Sequence, residues 1–373
     1  MSINASNSNV LIAVNYTATT NWTAANATFC SQDDPAWTGS VIFEAAATVL
    51  AIILNTAELI VFLHYDHLQT AFTLNIMALL ASNIVLCVMN YPLDIIGNLY
   101  TCWWLSMPAC NLYLYGNWVL AGGMMYMHVL ITANRIWAMQ FPLSYKRQHG
   151  SSHRSGFLLI LLTWLFVHAI CLPGVILDAL YFRQSLSTGC GINGEAQVAW
   201  INTAQLLIYD MPVVFIAGAY PFLVYKQVQR QSRTNERRAS CMMPSTMNLQ
   251  AASGNGPISS HGHKNLKLLL SREATRAFLV LTVLSASVCI CWTPSQVYWT
   301  IRLINPAIEL PDTFYKIEAA LYVLQSVMDP ILFAVTFKDL RDVLLALFKG
   351  WCNAERRRNP SVWLSHTAQV HPS

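Results

Sequence analysis

The side chains of this chain that could do chemistry are few and scattered, and they form no catalytic constellation. His128 and His168 each stand alone in an apolar run with no second ligand at metal spacing, so polar packing is their expected role. There is no nucleophile–base pair, no phosphate-cradling glycine loop and no His-Glu-x-x-His pattern. An enzyme, a metal site and a cofactor therefore have no support. What remains is a set of isolated polar and charged residues in apolar surroundings, among them Asn55, Glu58, Asn83, Asp94, Asn117, Asn134, Arg135, Glu318 and Asp329. Ionisable groups inside a membrane are costly and by default mark function. Glu44 lies close enough to a membrane boundary to be expected in solvent.

The elements that must position these residues are seven apolar stretches near 41–64, 71–97, 108–139, 156–180, 200–225, 274–301 and 315–337. Each reaches the roughly 20 residues that a helix needs to cross a bilayer. With residue 1 outside, only Arg183, Arg302 and Lys316 of the 22 basic residues fall outside or at the outer rim. That asymmetry is what the positive-inside rule demands. Composition agrees: 55% of the residues are apolar and 11% charged, against about 25% charged for a soluble domain. The expected fold is an all-α membrane protein, a bundle of seven helices over 41–337 with its N-terminus outside. The net charge of +4 comes from the cytoplasmic loops and fits an anionic inner leaflet, not nucleic acid. No basic n-region or long apolar h-region precedes the first span, which then acts as its own insertion signal.

Residues 1–40 read as a disordered outer tail with Asn-x-Ser/Thr glycosylation sequons at Asn4, Asn15, Asn21 and Asn26. Cys30, Cys102, Cys110 and Cys190 fall outside and allow three pairings. A Cys110–Cys190 bridge would tie the second outer loop over the bundle mouth and leave Cys30 with Cys102. Residues 226–273 read as a largely disordered third inner loop, Ser/Gly/Asn-rich in the middle and basic at both ends. Within it, Arg237-Arg238-Ala239-Ser240 is similar to a basophilic-kinase site. A short amphipathic helix is expected over 338–352, followed by a cytoplasmic tail over 353–373.

Taken in order, the polar and proline residues of the spans make one pattern. It comprises Asn55, Pro92, Asn134-Arg135-Ile136, Phe141-Pro142-Leu143, Trp164, Pro212, Tyr220, Cys291-Trp292-Thr293-Pro294 and Asp329-Pro330-Ile331-Leu332-Phe333. Across about 41–352 the chain resembles the rhodopsin-like (class A) family of G-protein-coupled receptors. The resemblance implies a multi-pass plasma-membrane receptor. A ligand in the outer half would move span six outward at its inner end and admit a heterotrimeric G protein, with kinases and arrestin as further partners. Pro294 and Pro212 would kink their helices, Trp292 would fill the volume above the span-six hinge, and Arg135 would face the G protein.

Departures from the family pattern carry their own expectations. The acid that usually precedes the arginine is Asn134. The usual aspartate of span two is Asn83 and the usual asparagine of span seven is Asp329, so the two have exchanged places and are expected to touch. Met124 replaces a serine of the family's sodium site, and Phe333 offers no hydroxyl to Tyr220. By family position the pocket residues are Tyr113, Asn117, Trp118, Tyr209, Trp292, Trp299 and Tyr322. Asn117 stands where amine receptors carry their counter-ion aspartate, and Asp94 or Glu318 could take over that part. Val323 stands where opsins hold retinal, which argues against a pigment. A small amine, a peptide and an apolar ligand all stay open, as does a ligand-independent, constitutively active or scaffold protein.

Overall fold

In the computed structural model, residues 35–100, 103–141, 144–145, 154–183, 189–242, 260–305, 308 and 311–358 are described. Pro142, Leu143, Cys30, Cys102 and the sequon residues Asn4, Asn15, Asn21 and Asn26 lie outside them, as do 243–259 and the tail beyond Arg358; the side chain of Tyr220 is likewise not described. Among the described residues every regular element is helical. Span one is Gly39–His64 and span four Arg154–Leu177, extended by a π-turn over Asp178–Phe182. Span two is broken into Thr73–Met89 and Tyr91–Leu99. Span three runs through Met107–Tyr115, Gly116–Leu120 and Ala121–Gln140, and span five through Val198–Ala204, Gln205–Asp210 and Met211–Met242. Span six is Ser260–Ile304, span seven Asp312–Thr336, and an eighth helix covers Lys338–Arg358.

Span one shows how sequence dictates placement. Thr38 caps it, its hydroxyl accepting from the Val41 amide at 3.4 Å. Glu44, Ala47, Thr48, Ala51, Asn55, Glu58 and Phe62 recur at helical spacing and are buried. Ile42, Phe43, Val49, Leu50, Ile53 and Ile60 are exposed on the other side. In water such an apolar face would be a liability; facing lipid it is the expected one. Span four likewise exposes Phe157, Leu158, Leu161, Leu162 and Leu165. Five spans pass a length-and-hydropathy test on their own: one, two, four, five and seven.

The irregularities fall where proline or close packing requires them. Pro92 follows the break between the two parts of span two. Pro212 lacks an amide hydrogen, and the wider π-turn over Gln205–Asp210 directly precedes it. Close approaches occur at glycines. A Cβ on Gly116 would sit 2.0 Å from the Asn90 side-chain oxygen, and one on Gly123 would sit 2.5 Å from two ring carbons of Trp164. Span three is thereby pressed between spans two and four, and its Met124, Met125, Met127 and Ile131 are fully buried.

Two boundaries differ from the sequence expectation. The third inner loop does not turn irregular at 226: span five stays helical to Met242, and span six begins at Ser260. Lys, Arg, Gln and Glu make up nine of the seventeen residues over 226–242, and 260–273 adds Lys, Leu, Arg and Glu; these are good helix formers that need no buried face to continue a helix already nucleated in the membrane. The eighth helix also runs past 352 to Arg358. Leu340 anchors it in the core while Leu345 and Leu347 stay exposed, as suits a helix lying in the interface.

The Gly123 contact yields a test. Gly123→Ala should lower the thermal midpoint of the purified protein, the overpacking against Trp164 costing about 1–3 kcal/mol. Gly218→Ala, whose new Cβ meets nothing within 4 Å, should leave the midpoint unchanged or raise it. Equal midpoints in the two variants would contradict the packing described.

Candidate ligand site and polar core

At the outer end, spans one, two, three and seven bring carboxyls together. Tyr113 donates its hydroxyl to Asp94 Oδ1 at 2.7 Å. Glu44 accepts from Asn98 Nδ2 at 3.3 Å, and its carboxyl is close enough to that of Asp94 for the two to interact. Glu318 turns toward the same region, close enough to Asp94 for the two carboxyls to interact. Glu44 was expected in solvent at the rim; it is 6% exposed and forms part of this cluster instead. The period of span one, which puts it on the stripe of Asn55 and Glu58, was the signal for that placement. Below the carboxyls, Tyr322 packs edge-on against both Tyr91 and Trp292, with ring centroids 6.0 and 5.0 Å away. Trp292 is completely buried.

The remaining expected pocket residues split. Asn117 accepts from Asn90 Nδ2 at 2.7 Å, so its side chain already ties span three to span two. Trp118 packs on Trp200 at 4.9 Å and on Tyr209 at 6.0 Å, forming a second aromatic group toward spans four and five. Tyr209 donates to the Asn117 carbonyl. Trp299 is 41% exposed and belongs largely to the bundle exterior. A polar clasp absent from the sequence expectation joins spans five and six: Gln205 Nε2 donates to Gln296 at 2.7 Å and to Asp210 at 3.0 Å, and Thr300 reaches Asp210 at 3.2 Å.

The roof is anchored by the Cys110–Cys190 disulfide, with Cα atoms 5.6 Å apart. Asp178, fully buried, gathers the second outer loop around it. It pairs with Arg183 and accepts from the Asn193 amide at 2.8 Å.

Half-way down the bundle, Asp329 is fully buried and accepts from Asn83 Nδ2 at 3.0 Å and Gln325 Nε2 at 2.6 Å. The exchanged Asn83 and Asp329 are thus in direct contact. Asn83 also donates to Asn55 at 3.1 Å, and Asn55 reaches the Ser326 carbonyl at 2.8 Å. Ser287 of span six joins through Gln325 at 3.2 Å. His128, expected to be packing only, lies with Nε2 3.3 Å from Asp329 Oδ2.

At the inner end, no carboxylate pairs with Arg135 among the described residues. Its guanidinium lies 3.3 Å from the centroid of the Phe72 ring and 6.0 Å from that of Phe337. Phe333 packs on Phe337 at 6.2 Å. The sequence marked Phe337 only as the residue that opens the eighth helix and did not mark Phe72 at all, because nothing local links residues 63 positions or more apart from Arg135 to its charge. Pro294 lies inside the span-six helix and Pro330 inside span seven.

The chain was compared with known proteins. Residues 54–333 match the model of the 7 transmembrane receptor (rhodopsin family). The chain is 19% identical over 347 residues to the octopamine receptor beta-2R of Chilo suppressalis, covering 88% of this chain and 86% of that one. It is 19% identical to the trace amine-associated receptor 4 of Mus musculus, covering 82% and 83%. With the D(4) dopamine receptor of Mustela putorius furo the identity is 23%, covering 76% and 84%. A match across three quarters of the chain, on a bundle with this bridged outer loop and this polar core, is decisive: the chain belongs to the rhodopsin family of G-protein-coupled receptors, multi-pass proteins of the plasma membrane that are not enzymes.

Proposed function

We propose that this receptor takes a small cationic amine in the outer half of its bundle and answers by moving the inner half of span six outward about Pro294, opening a cavity for a heterotrimeric G protein. The observation that carries the ligand class is the meeting of Asp94, Glu44 and Glu318 beside Tyr113 and Tyr322. A buried ammonium needs a counter-charge, and aromatic faces add cation–π attraction. Asn117 offers no charge, and its amide is engaged by Asn90. The relatives named for octopamine, trace amines and dopamine favour the same class. Kinases and arrestin would act on the cytoplasmic face. Among the sequence-derived pocket residues, Asp94, Tyr113, Glu318, Tyr322 and Trp292 make the better site, while Trp299 is too exposed to serve as a wall.

A second reading, signalling without a diffusible ligand, has one observation in its favour. Arg135 is held by aromatic rings in place of a carboxylate. A cation–π contact contributes about 0.5–2 kcal/mol, whereas breaking a buried ion pair costs about 3–5 kcal/mol. The resting state is accordingly less firmly restrained, and basal signalling should be appreciable. The two readings are compatible, since a receptor with high basal activity can still respond to an amine.

Two tests follow, one for each end. Asp94→Asn should weaken a cationic agonist by about 2–5 kcal/mol, the usual cost of removing one partner from a desolvated ion pair. Radioligand competition on membranes measures it. A cationic agonist that keeps its affinity in both Asp94→Asn and Glu318→Gln would reject the amine site. At the inner end, Phe72→Ala should raise ligand-independent G-protein activation, loss of about 1 kcal/mol shifting the resting equilibrium roughly fivefold. Asn134→Asp should lower it by giving Arg135 an acidic neighbour. Basal activity that is unmoved in both variants at equal surface density counts against Arg135 as the restrained element.

A further inference from the structure

Asp329 presents a physical problem that its amide partners do not solve. It is completely inaccessible to solvent in the middle of a membrane bundle. Asn83 and Gln325 give it hydrogen bonds but no charge, and Glu58 of span one, 4% exposed, brings a second carboxyl close enough to interact with it. A buried carboxylate without a counter-charge costs several kcal/mol even after relaxation. His128 also reaches this point; it stands seven residues before Arg135 and therefore on the same face of span three. Its side chain is also fully buried, and its Nε2 is 3.3 Å from Asp329 Oδ2. Neither ring nitrogen has an aligned hydrogen-bond partner among the described residues. The ring and the carboxylate are therefore close without sharing an aligned hydrogen bond.

We propose that His128, as an imidazolium, is the built-in counter-cation of Asp329, so that this receptor carries in its own span three the charge that a dissolved metal cation would otherwise have to bring to the polar core. The surrounding chemistry agrees. Asn83 and Gln325 direct N–H groups at the carboxylate, an arrangement that favours a carboxylate with no metal on it. Met124, facing Ser326 at 4.0 Å, offers a soft thioether where a hard cation would need oxygen. The pair also ties span three to span seven at mid-membrane, which makes His128 a positioning residue for the core.

The test uses the full-length receptor in lipid nanodiscs, with thermal unfolding followed in sodium chloride and in N-methylglucamine chloride at equal ionic strength. For the unmodified receptor the two midpoints should coincide. His128→Ser should lower the midpoint by roughly 5 °C or more and create a stabilisation by sodium. Adding Asp329→Asn to His128→Ser should recover most of the loss and abolish the sodium response. His128→Lys, which keeps a cation at the site, should stay sodium-insensitive and serves where the serine variant does not accumulate. An unmodified receptor already stabilised by sodium overturns the proposal whatever the variants do. Losses from His128→Ser and Asp329→Asn that simply add in the double variant overturn it as well.

Discussion

A carboxylate inside a lipid-surrounded bundle is the constraint on which much else here depends. The carboxylate of Asp329 must be satisfied within the bundle, and its neighbours come from different helices: Asn83 of span two and Gln325 of span seven itself donate to it, and the His128 ring of span three lies beside it. Asn83 can serve Asp329 only because Asn55 fixes its position from span one, and Asn55 in turn satisfies a carbonyl of span seven. Satisfying one charge thus dictates the mutual placement of four helices. Apolar packing alone would not do this, since lipid tails and leucine side chains offer nearly the same surroundings and small or polar contacts must set the register.

The same logic places the glycines. Polar groups can meet across helices only if the backbones approach, and span three approaches its neighbours at Gly116 and Gly123. At the first, Asn90 occupies the space that a side chain would fill and joins Asn117. That contact redirects the outer half of the bundle. The side-chain oxygen at the amine receptors' counter-ion position is engaged in holding span three to span two, and the acidic groups lie instead on spans one, two and seven.

Sequence reasoning reached the bundle readily because span length and basic-residue asymmetry are local quantities, and a bilayer enforces both. It also reached the Asn83–Asp329 contact, through matched positions in a family pattern. It missed what depends on side-chain direction across long separations. Glu44 was placed by its distance from the membrane boundary when its helical phase with Asn55 and Glu58 decides its burial. His128 was judged by the absence of a second metal ligand, a criterion that is blind to a carboxylate 201 positions away. The aromatic cover of Arg135 comes from two ring systems that no motif joins to it. The inner ends of spans five and six were read from composition as loop, although polar residues with high helix propensity extend a helix as well as they form a coil.

The outer and middle polar groups are physically continuous. Tyr322, beneath the carboxyls, touches both Trp292 and Tyr91. Tyr91 hydrogen-bonds Ser326 at 3.0 Å, and the carbonyl of that same Ser326 receives Asn55, the first link of the chain that ends at Asp329. Contiguity of this kind is not itself a coupling energy; a coupling needs an element with two arrangements that both ends bias. In the proposed mechanism that element is span six, which contacts the chain twice, through Trp292 two residues before Pro294 and through Ser287 seven residues before it. A ligand that repositions Tyr322 changes the packing of Trp292, and a change in the Gln325–Asp329 contact changes the support of Ser287. Both act on the same helix at and below its proline kink, on the side that faces the cytoplasm. The weak, aromatic restraint on Arg135 then determines how little of that bias is needed: a resting state secured by about 1 kcal/mol at its inner end responds to smaller differences in ligand contact than one secured by a buried ion pair.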